Sequence, residues 1–326
     1  MAAASTSGDD AYTVDYSCRF NDSDSAHLKL DGFGSPTNSK LFTCSCWMRR
    51  GNITSDQEYM YSGIDSAGTD RSQFKLNAND QLGFQGEYGG ATPVAVDSTA
   101  RYRDATAWYH FMMVYDADNG TQGDRVRLYA NGVRITDFSQ ETIPASTGQE
   151  VDFIQSGNDM YIARHAASTT KANHTDGYMS QHVLIDGQGL GPESFGEFSD
   201  SGIWRPIDVT ELTFGNNGWL LDFADSSDLG NDISGNNNDF ASSGITSADQ
   251  VINTPTDNYA TLNPLDAKSL MILSNGNLSL TQTANTSNTK SYPVPATIRM
   301  NSGKFAVEAT IATQVDSTPN PCLGIA

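Results

Sequence analysis

Thiol, imidazole and positive charge are scarce in this chain, and each scarcity closes off a class of function. The four cysteines among its 326 residues form no framework. Cys44 and Cys46 share a face with Phe42 in the strand-like run LFTCSCW, and Cys18 shares one with Tyr16 and Phe20, so these three read as small buried hydrophobes. A Cys-x-Cys metal clip would need a second ligand pair at workable spacing, and there is none. The five histidines (His27, His110, His165, His174 and His182) are scattered, with no i, i+2 or i, i+4 pair that would mark a metal site. Lys and Arg number 19 against 39 Asp and Glu, a formal charge of −20. A surface this acidic repels phosphate backbones and argues against nucleic-acid binding. No apolar run approaches the ~18–20 residues that span a bilayer. Residues 1–10 are small and polar, without the charged-then-apolar pattern of a signal peptide. The expectation is synthesis in a cytoplasm without a cleaved export signal, which takes the weight from the Asn-x-Ser/Thr sites at Asn52, Asn119, Asn173 and Asn277. Nucleophile-elbow, phosphate-loop and dinucleotide fingerprints are missing as well.

What is plentiful is Gly, Ser, Asn, Asp and Thr, the residues of a chain that reverses direction often, while charged residues are only 18%. That composition, with no long helix-period segment, points to an all-β protein. The clearest element lies within 108–138. Val126, Leu128 and Ala130 alternate with Arg127, Tyr129 and Asn131, and Val133 and Ile135 resume after Asn131-Gly132. Period-two alternation marks a strand with one buried face, and Asn-Gly supplies the two positive-φ positions of a type I′ turn. The expected core set of this hairpin is Val126, Leu128, Val133 and Ile135, with an acidic turn at 116–124 as its exposed end. Further strands are expected in YSCRFNDSDSAHLKL, LFTCSCWMRR, 59–64, the hairpin QFKLNANDQLGFQGE turning at 77–80, MYIAR at 160–164, and a closing strand through Tyr178, Val183 and Ile185. The stretch between Glu87 and Trp108 reads as a loop. Leu190-Gly-Pro-Glu-Ser-Phe opens a short helix, with Pro192 in its first turn, where its missing N–H costs nothing.

In order, these pieces resemble the laminin-G-like jelly rolls of the concanavalin A-like lectin/glucanase superfamily. The resemblance rests on WYHFMMVYD…VRLYANGVRI, LFTCSCWMRR, MYIAR and the 177–198 ending, and it covers roughly the first 200 residues with nine to eleven strands. It implies an antiparallel jelly-roll β-sandwich. Ser180-Gln181 stands where that family carries an acidic pair, so a family ligand or ion site there would be lost. Residues 216–264 contain DISGNNNDF and INTPTDNYATLNP, with Trp219, Leu221, Phe223, Phe240 and Tyr259 as isolated anchors. By itself this reads as an extended connector pinned to a neighbouring surface. It also resembles a connector in tail and virion proteins of bacteriophages. SGKFAVEATI and LGIA resemble the first strands of a SPRY-type sandwich, but only about 60 residues remain of the more than 100 such a domain needs. The expectation is a piece of a longer protein, or strands that complete a neighbouring subunit's sheet. The expected organisation is therefore a flexible N-terminus at 1–12, the sandwich at 13–212, the connector at 213–264 and an incomplete SPRY-like β domain at 265–326.

The superfamily includes glucanases, which place two carboxylates on one strand face. The nearest match is Glu150-Val151-Asp152-Phe153-Ile154-Gln155. Gln155 stands at the acid/base position, and an amide cannot deliver a proton to a leaving oxygen. The segment reads as a surface strand leading into a loop, so no catalytic residue is assigned and the protein is expected not to be an enzyme. The turn Asp116-Ala-Asp118-Asn119-Gly120 through Asp124 begins like an EF-hand loop, but its Gly falls one position early and no Glu closes it. It reads as a solvated hairpin turn, with a structural calcium ion as the alternative; no metal ligand and no cofactor are assigned. Ligand-binding residues stay unassigned, because specificity lies in loop geometry. The functional expectation is a non-enzymatic bacteriophage virion protein, a tail fibre, tail appendage or capsid-surface fibre. Its partners would be other virion proteins, copies of itself and a host-surface glycan or protein. The alternative is a secreted carbohydrate-binding or adhesion module of a larger bacterial surface protein or hydrolase.

Overall fold

The computed structural model describes residues 12–51, 53, 57–167, 174–267, 271–282 and 293–298. Its strands are β1 (Ser17–Phe20), β2 (His27–Leu30), β3 (Leu41–Arg50), β4 (Glu58–Ile64), β5 (Arg71–Leu76), β6 (Gln81–Tyr88), β7 (Ala91–Arg101), β8 (Tyr109–Asp116), β9 (Val126–Ala130) and β10 (Val133–Arg134). They continue as β11 (Phe138–Thr142), β12 (Asp159–Ile162), β13 (Gly177–Asp186), β14 (Gly196–Phe198), β15 (Trp204–Pro206), β16 (Trp219–Leu221), β17 (Ala241–Ser243), β18 (Gln250–Val251), β19 (Met271–Ser274) and β20 (Ser279–Gln282). Among the described residues there is no α-helix, only single 3₁₀ turns such as Pro192–Ser194.

Two eight-stranded antiparallel sheets form a jelly-roll sandwich. The first runs β10-β9-β8-β3-β13-β1-β18 with β16 also on β13, and the second runs β11-β7-β6-β5-β4-β12-β2-β17. Alternation decides which side chains meet between them. Phe42, Cys44, Cys46 and Met48 of β3 and Phe111, Met113 and Tyr115 of β8 face Phe74, Leu76, Leu82, Phe84, Val94 and Val96 of the second sheet in one buried cluster. β3 shows no polar alternation because its other face is covered too. Residues 195–220 lay Phe195, Val209, Phe214 and Leu220 over Met112, Val114, Val183 and Ile185, so β3 and β13 read as near-continuous buried runs.

Several expectations change. The stretch after Glu87 is not a loop but β7, the longest of the described strands, which pairs with β6 and β11. Its Pro93 lies where the β6–β7 register shifts between Gly86 and Tyr88, a place where a missing N–H breaks no ladder bond. Val133 is 60% exposed and not part of the core, whereas Val126 and Leu128 are buried and Ile135 packs at the core's edge. β10 is the sheet's edge, with nothing beyond it to cover Val133. The turn before it has the expected geometry, with φ of 49° at Asn131 and 75° at Gly132. The EVDFIQ segment is not a surface strand: Val151, Phe153 and Ile154 are fully buried. Phe153 stacks on Phe42 at 5.0 Å, and the segment enters where Gly63 and Gly86 leave room, since a Cβ at Gly86 would meet Val151 Cγ1 at 2.5 Å.

The Asn-rich 213–264 segment contributes β16 and β18 to the first sheet and β17 to the second. Trp219, Leu221, Phe223 and Phe240 lie in the main core, while Tyr259 stays 39% exposed. Its polar letters tie down irregular backbone. The Asp232 carboxylate accepts the N–H groups of Leu220, Ser234 and Asn238. Asn236 and Asn238 donate to the carbonyls of Gly215, Asn216 and Gly218. Further on, Arg49 is 1% exposed, and all five of its N–H groups are used. Nε donates to Ala105 O, one terminal nitrogen to Asn258 Oδ1 and Tyr259 O, and the other to the hydroxyls of Thr261 and Thr297. The expected SPRY-like strands at 302–311 and 323–326, the N-terminus at 1–11, Asn52 and Asn173 lie outside the described residues.

Candidate functional site

The residues singled out by motif are mostly structural. Cys18, Cys44 and Cys46 are free, fully buried thiols, pushed up by burial. Two histidines form matched buried locks. His182 lies within the β-bulge of β13 between Ser180 and Val183, where Gln181 has φ of 40°. Its Nδ1 accepts the Trp219 indole N–H at 3.1 Å and its Nε2 donates to Met60 O at 3.0 Å. An indole N–H only donates and a carbonyl only accepts, so the imidazole is neutral with its proton on Nε2. His110 repeats the pattern, with Trp204 Nε1 donating to Nδ1 at 3.2 Å and Ser45 Oγ 2.8 Å from Nε2. Burial pushes both down to about 3. His27 bonds Ser25 O and Arg164, and His165 packs edge-on to Tyr59. Among the described residues no three His, Cys, Asp or Glu side chains are gathered as a metal ion would require.

The 116–124 turn spends its polar groups locally. Asn119 donates to Asp116, Asp124 pairs with Arg134 at 2.5 Å, and the buried Arg125 holds the carbonyls of Asn119 and Pro144. Within the plug segment, Asn158 donates to Asp152, and Glu150 lies 4.0 Å from Lys40.

A different group of residues shares the outer face of the second sheet. Because Phe74 and Leu76, Leu82 and Phe84, and Val94 and Val96 point into the core, their alternates point outward. Arg71, Gln73 and Lys75 line β5, Gly83, Gln85 and Glu87 line β6, and Ala95 and Asp97 line β7. A groove of about 350 Å³ runs here, bounded by Lys75, Asn77, Gln85, Thr92, Asp97 and Gln140 over a floor of Phe84, Ala95 and Val96. Lys75 Nζ donates to Gln73 Oε1 at 2.7 Å and lies 5.6 Å from the centre of the Tyr59 ring. Burial lowers the Lys75 ammonium from its ordinary range, against the pull of Asp97 and Glu87. Burial raises the Asp97 carboxyl, against its bond from Asn77 and the charge of Lys75. Gly83 makes this possible, since a Cβ there would fall on Asp97 Oδ1. A half-buried acid and base moved in opposite directions within one groove mark a binding-site candidate. Sequence reasoning missed it because the signal, polar alternates on β5, β6 and β7, is that of any solvated strand face.

A second groove, of about 460 Å³, lies between 13–16 and 252–259. Its polar groups already serve one another: Val14 N–H donates to Thr256 Oγ1, and the Tyr259 hydroxyl donates to Asp257.

A family model described as the concanavalin A-like lectin/glucanases superfamily matches residues 22–186, just over half of the chain. No match was found among curated proteins. Among solved structures, the native heptameric SAP-like pentraxin of Limulus polyphemus is 14% identical with a TM-score of 0.40, over 55% of this chain and 80% of that one. Domains LG4-5 of the mouse laminin alpha1 chain are 14% identical with a TM-score of 0.39, over 63% of this chain and 48% of that one. The CBM40 of Ruminococcus gnavus IT-sialidase, solved with alpha2,3 sialyllactose, is 14% identical with a TM-score of 0.33, over 46% of this chain and 85% of that one.

Proposed function

Because the chain belongs to the concanavalin A-like lectin/glucanase superfamily, we propose that it is a non-catalytic glycan-binding protein whose ligand lies in the Lys75–Asp97 groove. The observation that carries this reading is the groove's lining. Lys75, Asn77, Gln85 and Gln140 offer donors, Asp97 and the amide oxygens offer acceptors, and Thr92 offers both. Sugar hydroxyls need that mixture, and half-buried groups on rigid strands hold it in place. The groove lining contains one carboxylate, Asp97, whereas glycoside hydrolysis by the usual routes uses two flanking the bond. The sugar is therefore bound and released unchanged. Substituting Gln85→Ala or Asp97→Asn should each weaken binding on a glycan array by about tenfold, the loss of one good polar contact, with no change in melting temperature. Binding that survives both substitutions would remove the groove from the account.

Our reading of the biological setting is a bacteriophage virion component, a tail fibre, tail appendage or capsid-surface fibre, that carries the sandwich as a homo-oligomer beside other virion proteins. What supports it is the resemblance of DISGNNNDF and INTPTDNYATLNP to virion connectors. A secreted bacterial adhesion module would use the same groove equally well. Mass spectrometry of purified virions separates the two: presence of the chain supports the first, and its absence leaves the second.

A further inference from the structure

We infer that the ligand of the groove is an acidic glycan, whose carboxylate or sulfate group docks on Lys75. This rests on the glycan-binding reading of the same groove and adds the charge of the sugar. Lys75 lines the groove on β5, partly buried, with one of its three N–H donors on Gln73 Oε1 at 2.7 Å. Among the described residues no carboxylate lies within ion-pairing distance of Lys75, although the protein has twice as many acidic as basic residues. A partly desolvated ammonium with no carboxylate in contact is unfavourable, and an anion on the ligand relieves that cost.

The acids facing it are otherwise engaged. Glu87 accepts from Gln85 Nε2 at 3.0 Å and from the Arg71 backbone N–H at 2.8 Å. Asp97 sits against Gly83 and accepts from Asn77. Opposing them, Arg71 lies on the same face of β5, and Lys75, Arg71 and Arg164 all act on the neutral ring of His165, which burial pushes down to about 4. Arg71 Nε is itself buried without a hydrogen-bond partner. Lys75 and Arg71 thus share this face with Glu87 and Asp97, and the two N–H groups of Lys75 not given to Gln73 are the donors an oxyanion would take.

The test is a printed glycan array of neutral, uronate-bearing, sialylated and sulfated glycans, read with the wild-type chain, Lys75→Gln and Lys75→Arg at low and high salt. The expected result is that the bound set is acidic and that high salt weakens it. Lys75→Gln should lower it by about tenfold or more, with Lys75→Arg retaining most of it. Melting temperature confirms that each variant is folded. A bound set of neutral glycans, or acidic binding indifferent to Lys75→Gln, overturns this inference and leaves the glycan reading standing. An empty array overturns both. Uronate against sulfate spots identify which oxyanion the groove takes.

Discussion

At the scale of single residues, the site depends on an absent side chain as much as on those present. Gly83 is the only residue type that lets Asp97 lie flat on the sheet, because a Cβ there would overlap Asp97 Oδ1 and approach Val96 O to 2.9 Å. Gly83→Ala is therefore expected to cost about 1–3 kcal/mol of stability as an overpacking change and to displace Asp97 from the groove. Urea denaturation measures the first effect and glycan titration the second. Combining it with Asp97→Ala should recover part of the stability loss, since two residues in contact do not add. An additive double mutant would show that the contact with Val96 O dominates. None of this was visible in QLGFQGE, where Gly83 looked like any strand glycine. The cysteines were different: alternation with Phe42 alone placed Cys44 and Cys46 in the core.

At the scale of elements, the structure redraws the role of residues 213–264. Isolated aromatics among Asn, Asp and Gly read as an extended tether, yet Trp219 fills the space between the sheets. It stacks on His182 at 6.0 Å and meets Phe240 edge-on at 5.0 Å. Losing one such buried Trp costs about 3–5 kcal/mol, against a total stability of about 5–15 kcal/mol for a typical domain. We therefore extend the folding unit beyond residue 212, because Arg49 binds both Thr261 and Thr297 and Asn277 donates to Gly51 O. A chain stopped after residue 212 should fail to melt cooperatively in calorimetry, and one kept through residue 298 should melt as a unit. A cooperative, native-like transition for the shorter chain would restore the 213 boundary. The tether reading failed because β16, β17 and β18 are each two or three residues long, too short for alternation to register in sequence. The β7 strand was missed for the opposite reason, a proline and several polar residues masking a long strand with one solvated face.

At the scale of the whole molecule, buried titratable groups give stability a two-sided dependence on pH. His110 and His182 are held near 3, below the ordinary value near 6.5 of an unfolded chain. The unfolded chain thus binds more protons between those values, and stability is lost as pH falls from about 6.5 towards 3. Burial acts the other way on two acids. It pushes Glu58 up to about 8 despite Arg50, and Asp176, whose Oδ1 has no partner, up to about 7. The folded chain holds those protons above the ordinary carboxylate range, so stability is lost as pH rises from about 4 towards 7–8. Each group contributes a slope of at most about 1.4 kcal/mol per pH unit. The expected optimum is a plateau near pH 4.5–6.5, where the two pairs offset one another. Denaturant midpoints across pH check this. His182→Gln, which keeps an acceptor for Trp219, should flatten the acid limb, and Asp176→Asn should make stability rise with pH across the plateau and flatten the start of the alkaline limb between about pH 6.5 and 7. A monotonic profile unaffected by either substitution would show that these groups titrate normally.

The sequence by itself determined the all-β class, the hairpin turn at Asn131-Gly132, most strands through Asp186, and the inward placing of Val126, Leu128, Cys44 and Cys46, because alternation and turn chemistry are local properties of a few consecutive residues. The jelly-roll resemblance was legible for the same reason, as an ordered series of such local signals. Only the tertiary structure decided that EVDFIQ is a core plug, that the Asn-rich segment belongs to the sandwich, and that Lys75, Gln85, Asp97 and Gln140 share one groove. Those residues meet through the β5-β6-β7-β11 pairing, across separations no local pattern encodes. The perturbed charges of Lys75 and Asp97 come from burial, which exists only once the sheets have formed.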